Sequence, residues 1–308
     1  MTPQPVCVDL RLAAEQGDVV CVEDIIEASR YRGQHSPAFY RLASIAFYRA
    51  VEQGHVECVN RLLPFTTSPH LLHKSLKTAA EKGHAACVTV LRDLCSSQKR
   101  SEALARAAGR GHEECVKVLI PGCDPTSALL EAARWGQEEC LKLLIPISNP
   151  QANDSWALRE AVKNGHAGCV RALLPVSTVH SNMVEWAAGK GHTDCVVALM
   201  PFLNAQELSG ALCSAAGGGH IDCVQALIEV ADLRLNNGQA LYRALSNAQV
   251  NCARILFGVG DPSLALQWFR SPRSSEFALF EQLRAEHERA VLRQSLSGNT
   301  RVSQPRKI

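Results

Sequence analysis

An all-α helical-repeat array is the fold this sequence predicts, on three observations. Eight times a Gly, usually followed by His, is followed four residues after the Gly by Cys, as in "RGHEECVKVLIP" from Arg110 and "NGHAGCVRALLP" from Asn164, and a ninth copy has Ala248 in place of the Gly. The nine cysteines, Cys21, Cys58, Cys87, Cys115, Cys140, Cys169, Cys195, Cys223 and Cys252, are 37, 29, 28, 25, 29, 26, 28 and 29 residues apart, a near-constant period of the kind that stacked repeats produce. Ala and Leu dominate while aromatics make up only 5% of the 308 residues, which favours helices over sheets.

Each repeat divides into two short helices. The first ends at the Gly of the repeat: Gly17, Gly54, Gly83, Gly111, Gly136, Gly165, Gly191 or Gly219, with Ala248 in that place in the ninth copy. Seven residues before it stands an apolar side chain (Leu10, Phe47, Leu76, Leu104, Leu129, Leu158, Val184, Leu212, Leu241), and three and four before it stand small residues, mostly Ala-Ala. Spacings of three and four place these on one helical face, where Ala lets neighbouring helices approach closely. The Gly supplies a left-handed cap. The second helix carries Cys, an aliphatic residue and Leu at offsets four, five and eight, as in Cys169, Val170 and Leu173, and Pro64, Pro121, Pro146, Pro175 and Pro201 follow it and stop it. One such unit cannot bury its own apolar face, so the units must stack.

These units resemble ankyrin repeats, on the run Leu-x-x-Ala-Ala-x-x-Gly-His-x-x-Cys-Val-x-x-Leu-Leu, seen in "LREAVKNGHAGCVRALL" from Leu158 to Leu174. The resemblance covers roughly residues 8 to 260. The Thr-Pro-Leu-His opening is missing, and the period is about 28 where the family has ~33, so the connectors are short and lack the family's hairpin finger. The chain is expected to divide into an ankyrin-like array over 1–262 with an insertion at 29–45, a C-terminal capping helical segment over 263–296, and a disordered basic tail over 297–308. The stretch from Ala28 to Ala50 around the insertion gathers Tyr31, Phe39, Tyr40, Phe47 and Tyr48, five of sixteen aromatics. The cap rests on Phe277, Phe280, Leu283 and Val291 sharing one face of a helix.

Thirteen cysteines invite zinc or catalysis, but stacked helices lie ~8–10 Å apart, beyond the ~7 Å a disulfide spans between Cα atoms and far beyond a Zn–S bond of ~2.3 Å. Register-matched cysteines are therefore expected to be small core residues. No metal and no cofactor is expected. The resemblance gives His55, His84, His112, His166, His192 and His220 a structural role, ordering the turn between helices. There is no phosphate loop, nucleophile elbow or paired-carboxylate pattern, so an enzyme with a site in the Tyr-rich insertion or the C-terminal helix is the least favoured reading.

A net charge of +2 implies no nucleic acid, and no run approaches the ~18 apolar residues of a membrane span. The start lacks a secretion signal, so a cytoplasmic protein is expected; a monomer is expected as well. The connector Ser148 to Leu158 resembles those of Cys-containing bacterial ankyrin arrays, some of them effectors, which makes an exported effector docking on a host protein the alternative.

The resemblance also places the two residues before each Gly on a partner-binding concavity. Glu15, Glu52 and Glu81 make its early part acidic, and Arg110, Arg134, Lys163 and Lys190 make the middle basic. The residue five before the Gly shares that face and reads Leu12, Arg49, Thr78, Arg106, Glu131, Glu160, Trp186, Ser214 and Arg243. Trp135 and Trp186 are then aromatic anchors in a basic strip, and the expected partner is a protein with an acidic or amphipathic segment, with Tyr31 and Tyr40 as a second contact region.

Overall fold

The structure, a computed structural model, describes residues 9–31, 37–66, 68–231, 233–272 and 274–299. Helices alternate along the chain, and no β-strand occurs among the described residues. Two compact units divide it, Met1–Ser177 and Thr178–Ile308.

Met1–Ser177 holds six helix pairs: α1 (Leu10–Gln16) with α2 (Val19–Tyr31), α3 (Pro37–Gln53) with α4 (Val56–Leu62), α5 (Pro69–Lys82) with α6 (Ala85–Arg92), α7 (Ser97–Arg110) with α8 (Glu113–Leu119), α9 (Thr126–Trp135) with α10 (Glu138–Leu144), and α11 (Ala152–Asn164) with α12 (Ala167–Leu173). First helices pack on first helices, and second helices on second helices, of the next pair. The small and apolar positions named above form the interior: Ala107, Ala108, Leu104, Cys115, Val116 and Leu119 are all fully buried. Second helices stop two residues before their proline in five copies, and in most of these the proline sits inside a single 3-10 turn, such as Leu63–Phe65 or Ile145–Ile147. There the missing N–H costs nothing, because the turn leaves that group unbonded.

Each Gly of the repeat has a positive φ, +81° at Gly83 for instance, where an L side chain is strained. The ninth copy adopts the same conformation without glycine, at Ala248 (φ 56°). A second constraint acts at Gly83. The imidazole of His112 in the following repeat lies where a β-carbon would stand, its Nδ1 2.7 Å from that point.

Thr178–Ile308 holds three pairs: α13 (Ser181–Gly189) with α14 (Thr193–Leu199), α15 (Ala205–Gly218) with α16 (Ile221–Ile228), and α17 (Leu233–Ser246) with α18 (Val250–Val259). A 3-10 segment (Pro262–Trp268) and α19 (Ser275–Asn299) follow. Phe280 and Leu283 of α19 are buried, with the Phe280 ring 5.2 Å from that of Phe257. Phe269, Phe277, Trp268 and Tyr242 extend the aromatic cluster.

Three expectations change. The face expected to run from Phe277 to Val291 is buried only as far as Leu283, and Val291 is 50% exposed. The tail expected to begin at 297 is helical through Asn299; residues 300–308 lie outside the described residues. Cys21, expected in the core, is half-buried. The other eight repeat cysteines are buried.

Candidate partner-binding face

The exposed sides of the first helices form the face on which the expected contact residues lie. In Met1–Ser177, Glu15, Glu52, Glu81, Arg110, Arg134, Trp135 and Lys163 all reach it at least partly exposed. Trp186 (39% exposed) and Lys190 lie on the corresponding face of Thr178–Ile308. Tyr40 of the insertion is exposed beside buried Phe39, whose ring meets Phe65 at 5.4 Å. The side chain of Tyr31 lies outside the described residues.

The expected basic strip is an ion-pair ladder. Arg110 Nη2 lies 3.0 Å from Glu81 Oε1, and Arg134 bridges Glu131 (2.8 Å) and Glu160 (3.1 Å). Lys82 and Arg49 both meet Glu52. The reason is geometric: the residue two before the Gly in one repeat lies beside the residues one and five before it in the next. Charges that look segregated when repeats are read one at a time alternate when they are stacked. Burial works to raise the Glu160 carboxyl, but the Arg134 hydrogen bond and charge, with Lys163 and Trp156 contributing, hold it below the usual carboxylate range.

Trp135 is 60% exposed, yet fixed. Its Nε1–H donates to Glu131 Oε2 at 3.0 Å, and its ring packs over Gly109, where a β-carbon would stand 3.2 Å from Trp135 Cδ1. Trp156, which the sequence reading passed over, is 41% exposed and hydrogen-bonds Glu160. Its signal was available, since it stands nine before Gly165, one helical turn from Glu160 on the same face. Glu131, Arg134 and Glu160 thus tie two Trp side chains into one network. Between α5, α7 and α9 runs an open groove of about 810 Å³.

Behind this face the repeats are clamped by histidine. The Nε2–H of His55, His84, His112 and His166 donates to the carbonyls of Glu15, Glu52, Glu81 and Arg134, each one repeat back, at 2.9–3.1 Å. In Thr178–Ile308, His220 does the same to Gly189 at 2.9 Å. The expected turn-ordering role is therefore also an inter-repeat bond. The fifth repeat has Gln137 there, which covers Gly111 as the histidines cover their glycines but donates only to the carbonyl of its own neighbour Trp135, at 3.5 Å. The ninth has Gln249, and Asn247 Nδ2 takes over the bond to the Gly217 carbonyl at 2.7 Å.

The buried thiols are chemically quiet. Burial pushes Cys87, Cys115, Cys140 and Cys213 up to about 11, so they stay protonated at neutral pH. Among the described residues no three or more His, Cys, Asp or Glu side chains converge as metal ligands, and no helix is long and apolar enough to cross a membrane.

A stack of Gly-capped helix pairs with a variable exposed face defines an all-α helical-repeat array. The family model for ankyrin repeats in three copies matches residues 47–128, 104–185 and 184–264, and the chain belongs to the ankyrin-repeat family. Among solved structures it is similar to the human ASB11 ankyrin repeat domain, at 20% identity and a TM-score of 0.51, over 66% of this chain and 99% of that one. No curated protein matches the chain.

Proposed function

We propose that the chain binds another protein through the exposed face of its first helices and carries out no catalysis. Ankyrin repeats are generally protein–protein interaction modules. The observation that carries the finer reading is Trp135, a large apolar ring left mostly exposed but held in one orientation by Glu131 and Gly109. A preoriented Trp supplies contact area with little rotamer entropy left to lose on binding, and Trp and Arg are the residue types most enriched at binding hot spots. Trp156 and Arg134 flank it through the same carboxylates.

The test is affinity capture from the source cells with the full chain, comparing wild type and Trp135→Ala. The variant should keep the thermal midpoint within a degree or two and weaken binding of the captured protein by roughly 2 kcal/mol or more. A sharp fall in midpoint would assign Trp135 to the core. Unchanged capture and midpoint would move the site elsewhere, first to the exposed aromatics around Tyr40. In the same proposal residues 263–296 serve as a cap. Phe280 and Leu283 cover Phe257 of the last pair, and a repeat array ending on bare apolar surface is prone to aggregate.

A further inference from the structure

The groove between α5, α7 and α9 has walls whose formal charges cancel: Lys77, Arg106 and Arg134 against Glu102, Asp124 and Glu131. Net charge therefore selects no ligand, but the pairing of the charges does. Both oxygens of Glu102 are bonded to Lys99, and Glu131 gives one oxygen to Arg134 and the other to Trp135. One oxygen of Asp124 holds the backbone and hydroxyl of Thr126. The cations are differently placed. Lys77 and Arg106 are exposed and have no hydrogen-bond or ion-pair partner among the described residues, and neither do the side chains of Gln98 and Ser127 in the same walls. Each carboxylate of the groove thus already holds a neighbouring donor, while two of its cations hold no acceptor among the described residues.

We infer that this groove seats an extended, carboxylate-bearing segment of the partner protein, with Lys77 and Arg106 each holding one carboxylate. Adjacent first helices lie ~8–10 Å apart, and an extended chain rises ~3.3 Å per residue. The two acidic residues of the segment should therefore be two or three positions apart. The wall carboxylates repel the dense charge of a nucleic-acid backbone more than spaced single carboxylates, so a protein segment is the favoured occupant. This inference rests on the protein-binding reading and goes beyond it in naming the groove and the chemistry of what enters.

A phage library of random 16-residue peptides, selected on the immobilised full chain, separates the two. The expected result is enrichment of peptides carrying Asp or Glu two or three residues apart. Their synthetic copies should lose at least tenfold in affinity to the Lys77→Glu/Arg106→Glu chain and nothing to Arg171→Glu on α12. Both groove residues are exposed, so helicity and midpoint should match wild type and confirm that the double variant is folded. Peptides that lose binding to Trp135→Ala but lack the acidic pair, or ignore the double variant, would overturn the groove assignment and leave the protein-binding reading standing. A 20-mer oligothymidylate that outcompetes the acidic peptides would also overturn it. No enrichment, or enrichment insensitive to every face variant, would sink both.

Discussion

The repeat junctions at Gly83 and at Gly111 are built from the same parts with one exchanged. At Gly83 the next repeat's imidazole lies over the glycine and its Nε2–H reaches back to the Glu81 carbonyl at 2.9 Å. At Gly111 the side chain of Gln137 lies over the glycine, and its amide turns to its own repeat. The apolar stacking is common to both: α5 packs on α7 and α7 on α9, with Leu76, Leu104 and Leu129 buried alike. Packing and clamp are thus separable contributions. At this junction a Trp also covers Gly109 in place of a histidine bond to its carbonyl, so this departure from the clamp series coincides with the most exposed Trp of the face.

The largest effect should come from breaking the intact junction at its glycine. Gly83→Ala forces an L residue to a φ of +81° and puts a methyl where the His112 ring lies. Left-handed strain costs about 1–2 kcal/mol and the displaced hydrogen bond about 1 more, so denaturant unfolding should show a loss of about 3 kcal/mol. Stability within experimental error of wild type would mean that the capping geometry is not the constraint.

His112→Gln converts the intact junction into the exceptional one. It should cost about 1 kcal/mol in urea unfolding, with faster amide exchange concentrated in α7 and α8. The reverse exchange, Gln137→His, should add about 1 kcal/mol by giving the Gly109 carbonyl a donor. If Gln137→His gains nothing while His112→Gln loses, the Trp135 ring already blocks the clamp, which would sharpen the coincidence noted above.

The smallest effect concerns a polar flaw beside the first junction. Ser75 of α5 is fully buried and its hydroxyl has no partner, at a position where Ala103 and Ala128 stand in the next two repeats. Ser75→Ala should therefore raise stability by up to about 1 kcal/mol, in contrast to the losses at Gly83 and His112. A loss on this substitution would show that the hydroxyl is hydrogen-bonded in solution.

What the sequence by itself determined is the repeating interior. The helix pairs, their left-handed caps at Gly83 and its counterparts, and the burial of Cys115, Cys140 and Cys169 all follow from spacings of three, four and seven residues within one copy. Such spacings are local, and nine copies of the same local message leave little ambiguity. The face was legible only as a set of positions that included Trp135, Arg110 and Arg134, and Trp156, one turn before Glu160 on its helix, was not among them. What the tertiary structure alone decided is which of those side chains are committed. Arg110 meets Glu81 from 29 residues away and Arg134 meets Glu160 from 26, whereas Lys77 and Arg106 meet no carboxylate among the described residues. Whether a charge is neutralised depends on its neighbours across the stacking direction and on rotamers set by packing, and neither is written in the order of residues within a repeat.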